Sequence, residues 1–116
     1  MNPETKIQNA IMIALSNAGC TVWRNETSGA WVGKVIHKAA NQVTLNNARM
    51  ITFGLCVGSA DLIGIAPDGR FMAVEVKTNS GRPSAEQLKF IAHVNENGGV
   101  AGIARSTKDA LELINN

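Results

Sequence analysis

Two strand-like segments separated by a tight turn constrain the fold of this 116-residue chain more than any other feature. They read ADLIGIA and RFMAVEVK, and the Pro-Asp-Gly triplet between them suits a reverse turn, so the pattern predicts an antiparallel hairpin. Side chains alternate between the faces of a strand, so Glu75 and Lys77 share one face of the second segment, opposite an apolar face. Those two charges indicate either a solvated face or a polar site at the end of the strand.

Helix signals flank this hairpin. Asn2, Pro3 and Glu4 form a typical helix start, apolar residues follow at helical spacing, and Gly19 ends the helix. SAEQLKFIAHVNENGG predicts a second helix that begins with a Ser84 to Gln87 capping box and directs Leu88, Ile91, Ala92 and Val94 towards the core. VAGIAR and STKDALELI then predict a final strand and a final helix with its own capping box.

The middle of the chain, residues 26–58, shows little periodicity and contains only short strand-like pieces, KVIH and QVTL. A segment of this length between regular elements is usually functional or mobile. The predicted order is therefore α-β-β-β-α-β-α, with extra strands or a loop in the middle. We expect an α/β fold that forms a single domain over residues 1–116.

Composition limits the classes of function. The chain is 45% hydrophobic, enough for one core, and its formal charge of +2 permits a polyanionic partner without requiring one. Cys20 and Cys56 lie far apart without metal-binding spacing, which predicts two buried thiols in a reducing compartment. No apolar run is long enough for a membrane span and the start does not read as a signal peptide, so we expect a cytoplasmic protein without a membrane partner.

The hairpin also predicts a site. Asp61 begins its first strand, and Glu75 and Lys77 end its second, in a D-x13-E-x-K pattern. The start of the first strand of a hairpin lies beside the end of the second, so these side chains should be close together. Paired carboxylates repel unless a hard cation such as Mg²⁺ or Mn²⁺ lies between them, and an adjacent lysine suits phosphodiester hydrolysis.

These residues carry a resemblance. GSADLIGIAPDGRFMAVEVK followed by SAEQ resembles the PD-(D/E)XK nuclease superfamily, and the whole chain is similar to its VRR-NUC branch, the virus-type replication-repair nucleases. The resemblance implies a restriction-endonuclease-like core, a mixed sheet flanked by helices. It extends from the acidic first helix through WRN, the aspartate strand, EVK and the glutamine helix to the closing strand and helix. Ala60 departs from the superfamily's proline, which is a backbone constraint rather than a ligand.

The resemblance also implies roles for individual residues. Asp61 and Glu75 would bind the metal together with the backbone carbonyl of Val76, and Lys77 would assist the nucleophile. Glu4 would add a ligand, directly or through water, and Gln87 would orient the site. Both have structural alternatives, Glu4 as an acid favoured at a helix N-terminus and Gln87 as the partner of Ser84 in the capping box.

The resemblance further implies a Mg²⁺- or Mn²⁺-dependent DNA endonuclease, selective for branched DNA such as Holliday junctions, in replication, recombination or repair. Stand-alone relatives tend to pair, so a homodimer is expected, with no nucleotide or organic cofactor. An inactive DNA-binding or assembly module and a DNA-end-processing or restriction-type nuclease remain alternatives. Basic residues in the middle segment and near the second helix are the candidate phosphate contacts: Lys34, His37, Lys38, Arg49, Arg82 and Lys89.

Overall fold

The predicted hairpin is present in the computed structural model, which describes residues 1–26 and 28–115. Strands β4 (Leu62–Ile65) and β5 (Phe71–Val76) pair antiparallel, with Leu62 opposite Val74. Asp68 fixes the turn between them, because its carboxylate accepts hydrogen bonds from the backbone N–H and the side-chain Nε of Arg70. The strands are shorter than the two apolar segments, and Asp61 lies just before β4.

The hairpin forms the centre of a four-stranded mixed sheet. Strand β1 (Thr21–Arg24) runs antiparallel to β4, and the last strand, β6 (Val100–Ala104), runs parallel to β5. The strand order is β1-β4-β5-β6, numbered along the chain. Because β5 has a neighbour on each edge and helices over both faces, residues 72–76 are all buried. A charge in this strand is therefore held out of bulk water.

Helices cover both faces of the sheet. Helix α1 (Pro3–Asn17) and helix α3 (Thr107–Ile114) enclose the larger apolar core, where Ile11 and Leu15 pack with Met72 and Val74. Asn2 caps α1 as predicted, since its side chain accepts a hydrogen bond from the Thr5 N–H at 2.7 Å. The helix between β5 and β6, α2 (Ala85–Glu96), covers the opposite face. This arrangement confirms the predicted α/β sheet flanked by helices.

The predicted core face of α2 was partly wrong. Phe90, Ile91 and Val94 pack on the sheet, whereas Leu88 is 50% exposed and Ala92 is also exposed. Residues at positions i, i+3, i+4 and i+7 share one face of a helix, and here that face starts at Gln87. Leu88 lies next to this face rather than on it. The apolar residues of the sequence therefore did not determine which side of the helix faces the sheet.

The middle of the chain is more regular than the sequence indicated. It forms a separate antiparallel ribbon of two long strands, β2 (Ser28–Ala39) and β3 (Gln42–Phe53). Two register shifts interrupt the pairing, and one coincides with the positive φ of Asn47. Nearly every ribbon residue is exposed, on both faces of the ribbon. Because neither face is buried, apolar and polar residues do not alternate along these strands, and the sequence lacks the usual period-two pattern of a strand.

The ribbon projects from the body of the molecule. Each strand has 12 residues, equivalent to about 40 Å of extended chain, and the longest dimension of the molecule is 52 Å. Within residues 1–26 and 28–115, no helix or other strand packs extensively on the ribbon. Its exposed side chains include large apolar ones, among them Trp31 at 63% and Ile36 at 59% exposure.

The expectation of two buried thiols was confirmed for one cysteine and wrong for the other. Cys20 is buried as expected, but Cys56 is exposed, because it lies in the loop that follows the ribbon rather than in an element of the core. Across the described part of the chain, no helix is both long and apolar enough to cross a membrane.

Candidate metal centre

Asp61 and Glu75 lie next to each other because of the β4–β5 register. Leu62 faces Val74, so the residues one step further, Asp61 and Glu75, fall side by side at the end of the hairpin. Glu75 points towards the face covered by α2 and is only 2% exposed. Among the described residues, its Oε2 atom has no hydrogen-bond partner. The first alternative from the sequence, a solvated pair of strand charges, therefore does not hold for Glu75.

An unpartnered carboxylate oxygen in the core has an electrostatic consequence. Burial is the largest cause that raises the pKa of Glu75, to about 9, and the hydrogen bond and negative charge of Asp61 raise it further. Lys77 acts in the opposite direction, and the charge of Glu4 adds a small increase. Without a cation, Glu75 is thus protonated at neutral pH. An ionised Glu75 requires additional positive charge at this position.

The backbone holds Asp61 in place from two sides. Its Oδ2 atom accepts a hydrogen bond from the Val76 N–H at 3.0 Å, which fixes the carboxylate beside Glu75. Its backbone carbonyl accepts a second bond from the Asn25 N–H at 2.8 Å. Asp61 is half-buried, so one side of the carboxylate remains open to the neighbouring cleft.

Glu4 and Lys77 lie within electrostatic range of this pair, since both contribute to the pKa of Glu75. Lys77 directly follows β5 and is half-buried, whereas Glu4 lies in the exposed first turn of α1. Arg24 anchors this part of α1 to β1, because its guanidinium group donates hydrogen bonds to the side chains of Gln8 and Asn9. Glu4 is thus a peripheral member of the group.

The donor set suits a magnesium ion. Within residues 1–26 and 28–115, no three His, Cys, Asp or Glu side chains converge closely enough to form a complete cage for a metal ion. Mg²⁺ does not need one, because it keeps several waters and is usually held by one or two carboxylates together with substrate phosphates. The adjacent carboxylates of Asp61 and Glu75, one with an unpartnered buried oxygen, fit that description.

An open cleft of about 660 Å³ lies beside Asp61, between the base of the ribbon and the first turn of α2. Three carboxylate residues line it, Glu26, Asp61 and Glu86, and none of the lining residues that the structure describes is Lys or Arg. The local charge is negative. A phosphate group entering this cleft would be repelled unless a cation accompanied it.

Gln87 also lines the cleft, but its side chain is used in the helix cap. The Oε1 atom of Gln87 accepts a hydrogen bond from the Ser84 N–H at 2.8 Å, and the Ser84 hydroxyl accepts one from the Gln87 N–H at 3.1 Å. The capping alternative from the sequence is therefore present in the structure. Gln87 fixes the first turn of α2 against the cleft.

The candidate phosphate contacts fall into two groups. Lys34, His37 and Lys38 lie on β2 and Arg49 on β3, all exposed on the ribbon. Arg82 and Lys89 are exposed before and within α2. None of the six lines the cleft beside Asp61.

Sequence reasoning missed the residues that support Asp61 through the backbone. Gly58 has a φ of +86°, and a Cβ atom there would lie 2.6 Å from the Glu86 carbonyl oxygen, so only glycine allows this loop to approach α2 so closely. Asn25 is buried and bonds to the same loop. The sequence signal for Asn25 was a polar residue directly after a strand, and the same signal is equally typical of the start of a turn.

Comparisons with known proteins identify a family and a fold for this chain. The model of the VRR-NUC domain family matches residues 2–108. A solved structure described as a VRR_NUC domain is similar over 100% of this chain and 98% of its own, with a TM-score of 0.61 and 19% sequence identity, a likeness of fold. No curated protein matches the chain significantly.

Proposed function

This chain belongs to the VRR-NUC family, a nuclease-type family, and on that premise we propose that it hydrolyses DNA phosphodiester bonds in a divalent-metal-dependent reaction. The observation that carries the proposal is the pairing of Asp61 with a buried Glu75 whose Oε2 atom has no partner in the part of the chain that the structure describes. Burying this carboxyl group with one oxygen unsatisfied is unfavourable for stability, so a role in binding a cation explains its presence better.

Asp61, Glu75 and the carbonyl of Val76 would hold Mg²⁺ or Mn²⁺, and Glu4 would contribute directly or through a water molecule. When bound, the ion would supply Lewis-acid stabilisation of charge on the phosphate. The Val76 N–H keeps Asp61 in position, and the burial of Glu75 excludes water from one side of the site. The negative cleft supports the need for a cation, since phosphate would otherwise be repelled there.

Lys77 would steady the attacking water and neutralise charge that develops on the phosphate. The charge of Lys77 already lowers the pKa of Glu75, which supports a position close to the proposed metal. Gln87 would orient the site indirectly, by fixing the first turn of α2 beside the cleft.

The ribbon supports DNA as the partner through its charge. Residues 28–53 contain Lys34, Lys38 and Arg49 and no Asp or Glu, although the whole chain has 11 Lys and Arg and 9 Asp and Glu. The body without the ribbon therefore has more acidic than basic residues. A basic arm on a slightly acidic body would direct phosphates to the ribbon, and a two-stranded ribbon has the width of the DNA major groove. His37, Arg82 and Lys89 would add further contacts.

The ribbon also supports a homodimer. A two-stranded ribbon is marginally stable in water by itself, this one has little packing against the rest of the described chain, and it exposes Trp31, Val35 and Ile36. Pairing with a second copy would cover such side chains. A symmetric dimer would present two sites to a branched duplex such as a Holliday junction, so we propose branched DNA as the preferred substrate.

The test of the activity is cleavage of a four-way junction and of a linear duplex of the same sequence in Mg²⁺, Mn²⁺ or EDTA. We expect cutting only with metal, and faster cutting of the junction. Equal rates on both substrates would contradict the junction preference alone. Binding of DNA without metal-dependent cutting would overturn the nuclease proposal and favour a DNA-binding module of the same fold.

The role of Gln87 can be separated from catalysis by comparison with its capping partner. Ser84→Ala and Gln87→Ala should each lower the free energy of unfolding by about 1 kcal/mol, because each breaks one half of the capping box. Chemical denaturation measures this effect. If Gln87 acts only through the cap, the two variants cleave DNA at the same rate. A much slower Gln87→Ala variant would instead place Gln87 in contact with the reacting groups.

A further inference from the structure

Asn25 is one of the few buried polar residues outside the carboxylate pair. It directly follows β1 and is only 8% exposed. Burial of an amide side chain is unfavourable unless its hydrogen-bonding groups have partners. Asn25 satisfies this requirement almost entirely through one short stretch of chain, the loop that ends at Asp61.

Hydrogen bonds connect Asn25 to three consecutive residues of that loop. Its side-chain nitrogen donates to the Ser59 hydroxyl at 2.7 Å and to the Ala60 carbonyl at 2.9 Å. Its backbone N–H donates to the Asp61 carbonyl at 2.8 Å. The loop thus has little freedom to move relative to β1.

The remaining polar atom of the side chain faces the base of the ribbon. Its Oδ1 atom accepts a hydrogen bond from the Leu55 N–H at 3.2 Å, just beyond the end of β3. The strand that enters the ribbon begins at Ser28, three residues after Asn25. One side chain therefore joins the Asp61 loop to the point where the ribbon leaves the body.

We infer that Asn25 is a positioning residue that holds Asp61 at the distance from Glu75 that a shared divalent cation requires. The inference deepens the proposed function and rests on it for the identity of the cation. The Asp61 carboxylate is held by the bond from the Val76 N–H and by its hydrogen bond with Glu75, and the loop that Asn25 fixes sets the backbone position from which that carboxylate reaches both groups. Groups that orient metal ligands in this way influence metal affinity without touching the ion.

The first test measures metal binding. Asn25→Ala removes all side-chain hydrogen bonds, and Asn25→Asp keeps the acceptor for Leu55 but removes both donors to the loop. Asn25→Ala should bind Mg²⁺ about 10 to 100-fold more weakly by calorimetric titration. The loss should be smaller for Asn25→Asp, because the added carboxylate lies in the same cleft and attracts the ion. The Mg²⁺ concentration for half-maximal cleavage should rise by the same factor, while kcat at saturating metal changes much less.

Asn95 provides a matched control. Its side chain also bridges two elements through the backbone, donating to the Ala101 carbonyl at 3.0 Å and accepting from the Ala101 N–H at 2.9 Å, but on the α2–β6 side of the sheet. Asn95→Ala should lower stability and leave Mg²⁺ affinity unchanged. Ser59→Ala, which removes one acceptor of Asn25, should have an intermediate effect on Mg²⁺ affinity and covers the case in which Asn25→Ala fails to fold.

A second test needs no metal. The Val76 N–H donates to Asp61, so its hydrogen exchange in EDTA reports the position of that carboxylate. Asn25→Asp should reduce the protection of the Val76 amide about tenfold relative to its neighbours in β5, whereas Asn95→Ala should not. Unchanged Val76 protection together with parental Mg²⁺ affinity would overturn the inference. If the parent protein binds no Mg²⁺, the proposed function fails, and the exchange experiment alone still decides whether Asn25 positions Asp61.

Discussion

Glu75→Gln should make the metal-free protein more stable at neutral pH and at the same time abolish DNA cleavage. The pKa of Glu75 is raised to about 9 in the folded state from an ordinary value of 4.5, first by burial and then by Asp61. Between pH 4.5 and pH 9, Glu75 is therefore protonated in the folded state and ionised in the unfolded state. The free energy of unfolding falls as the pH rises through this range. At pH 7 the cost is about 3 kcal/mol.

Glutamine is uncharged at every pH, so the variant lacks this dependence. In EDTA, its melting temperature should exceed that of the parent by about 5 to 10 °C at pH 7, and the difference should shrink towards pH 4.5. The negative charges of Asp61 and Glu4 raise the pKa of Glu75 and so enlarge the expected difference in melting temperature, whereas Lys77 lowers that pKa and makes the difference smaller. Thermal unfolding followed by circular dichroism between pH 4.5 and 9 measures the effect.

The same substitution removes a charge that the proposed metal needs. Cleavage by Glu75→Gln should fall by roughly 10² to 10³-fold or more, as it does when one charge-stabilising group is removed from other active sites. Mg²⁺ should raise the melting temperature of the parent and not of the variant. Glu112→Gln is the control, because Glu112 is exposed on α3 and forms a surface ion pair with Lys108 at 3.9 Å. A parent protein with the same stability from pH 5 to 9 would contradict the raised pKa of Glu75.

Excision of the ribbon should remove self-association and most DNA affinity while leaving the body folded. Ala30 lies opposite Ile51, so residues 31–50 can be replaced by an Asn-Gly turn that joins these two positions. The ribbon packs mainly on itself among the described residues, so the free energy of unfolding should change by no more than about 1 kcal/mol. Sedimentation should give a monomer for this variant and a dimer for the parent.

Neutralising the ribbon separates its two proposed roles. The triple variant Lys34→Gln, Lys38→Gln, Arg49→Gln keeps the apolar side chains, so it should remain dimeric. If each cation contacts one phosphate, the slope of log affinity against log salt concentration should become less steep by about 2.7. Lys6→Gln with Lys108→Gln, on α1 and α3, should leave the slope unchanged. A triple variant with the parental slope would exclude the ribbon as a DNA contact, and a dimeric excision variant would place the dimer interface elsewhere.

Short local sequence patterns were sufficient to predict much of the fold. The Pro-Asp-Gly turn, the alternation in β5 and the three helix starts are properties of short stretches, and each element forms where these signals lie. The face of α2 that packs on the sheet could not be predicted from local sequence. Leu88 satisfies the apolar pattern, but the sheet contacts Phe90 and Val94 instead. The sequence indicated only the short pieces KVIH and QVTL of the ribbon strands, because a strand exposed on both faces gives no alternation along its full length.

The sequence by itself determined that Asp61, Glu75 and Lys77 are close together, because hairpin register converts their spacing into proximity. It did not determine that Glu75 is buried, since that depends on α2 covering the same face. Only the tertiary structure placed Asn25 against the Asp61 loop, 34 to 36 residues further along the chain. The physical reason is that burial and hydrogen-bond partners come from residues distant in sequence, to which local periodicity is insensitive.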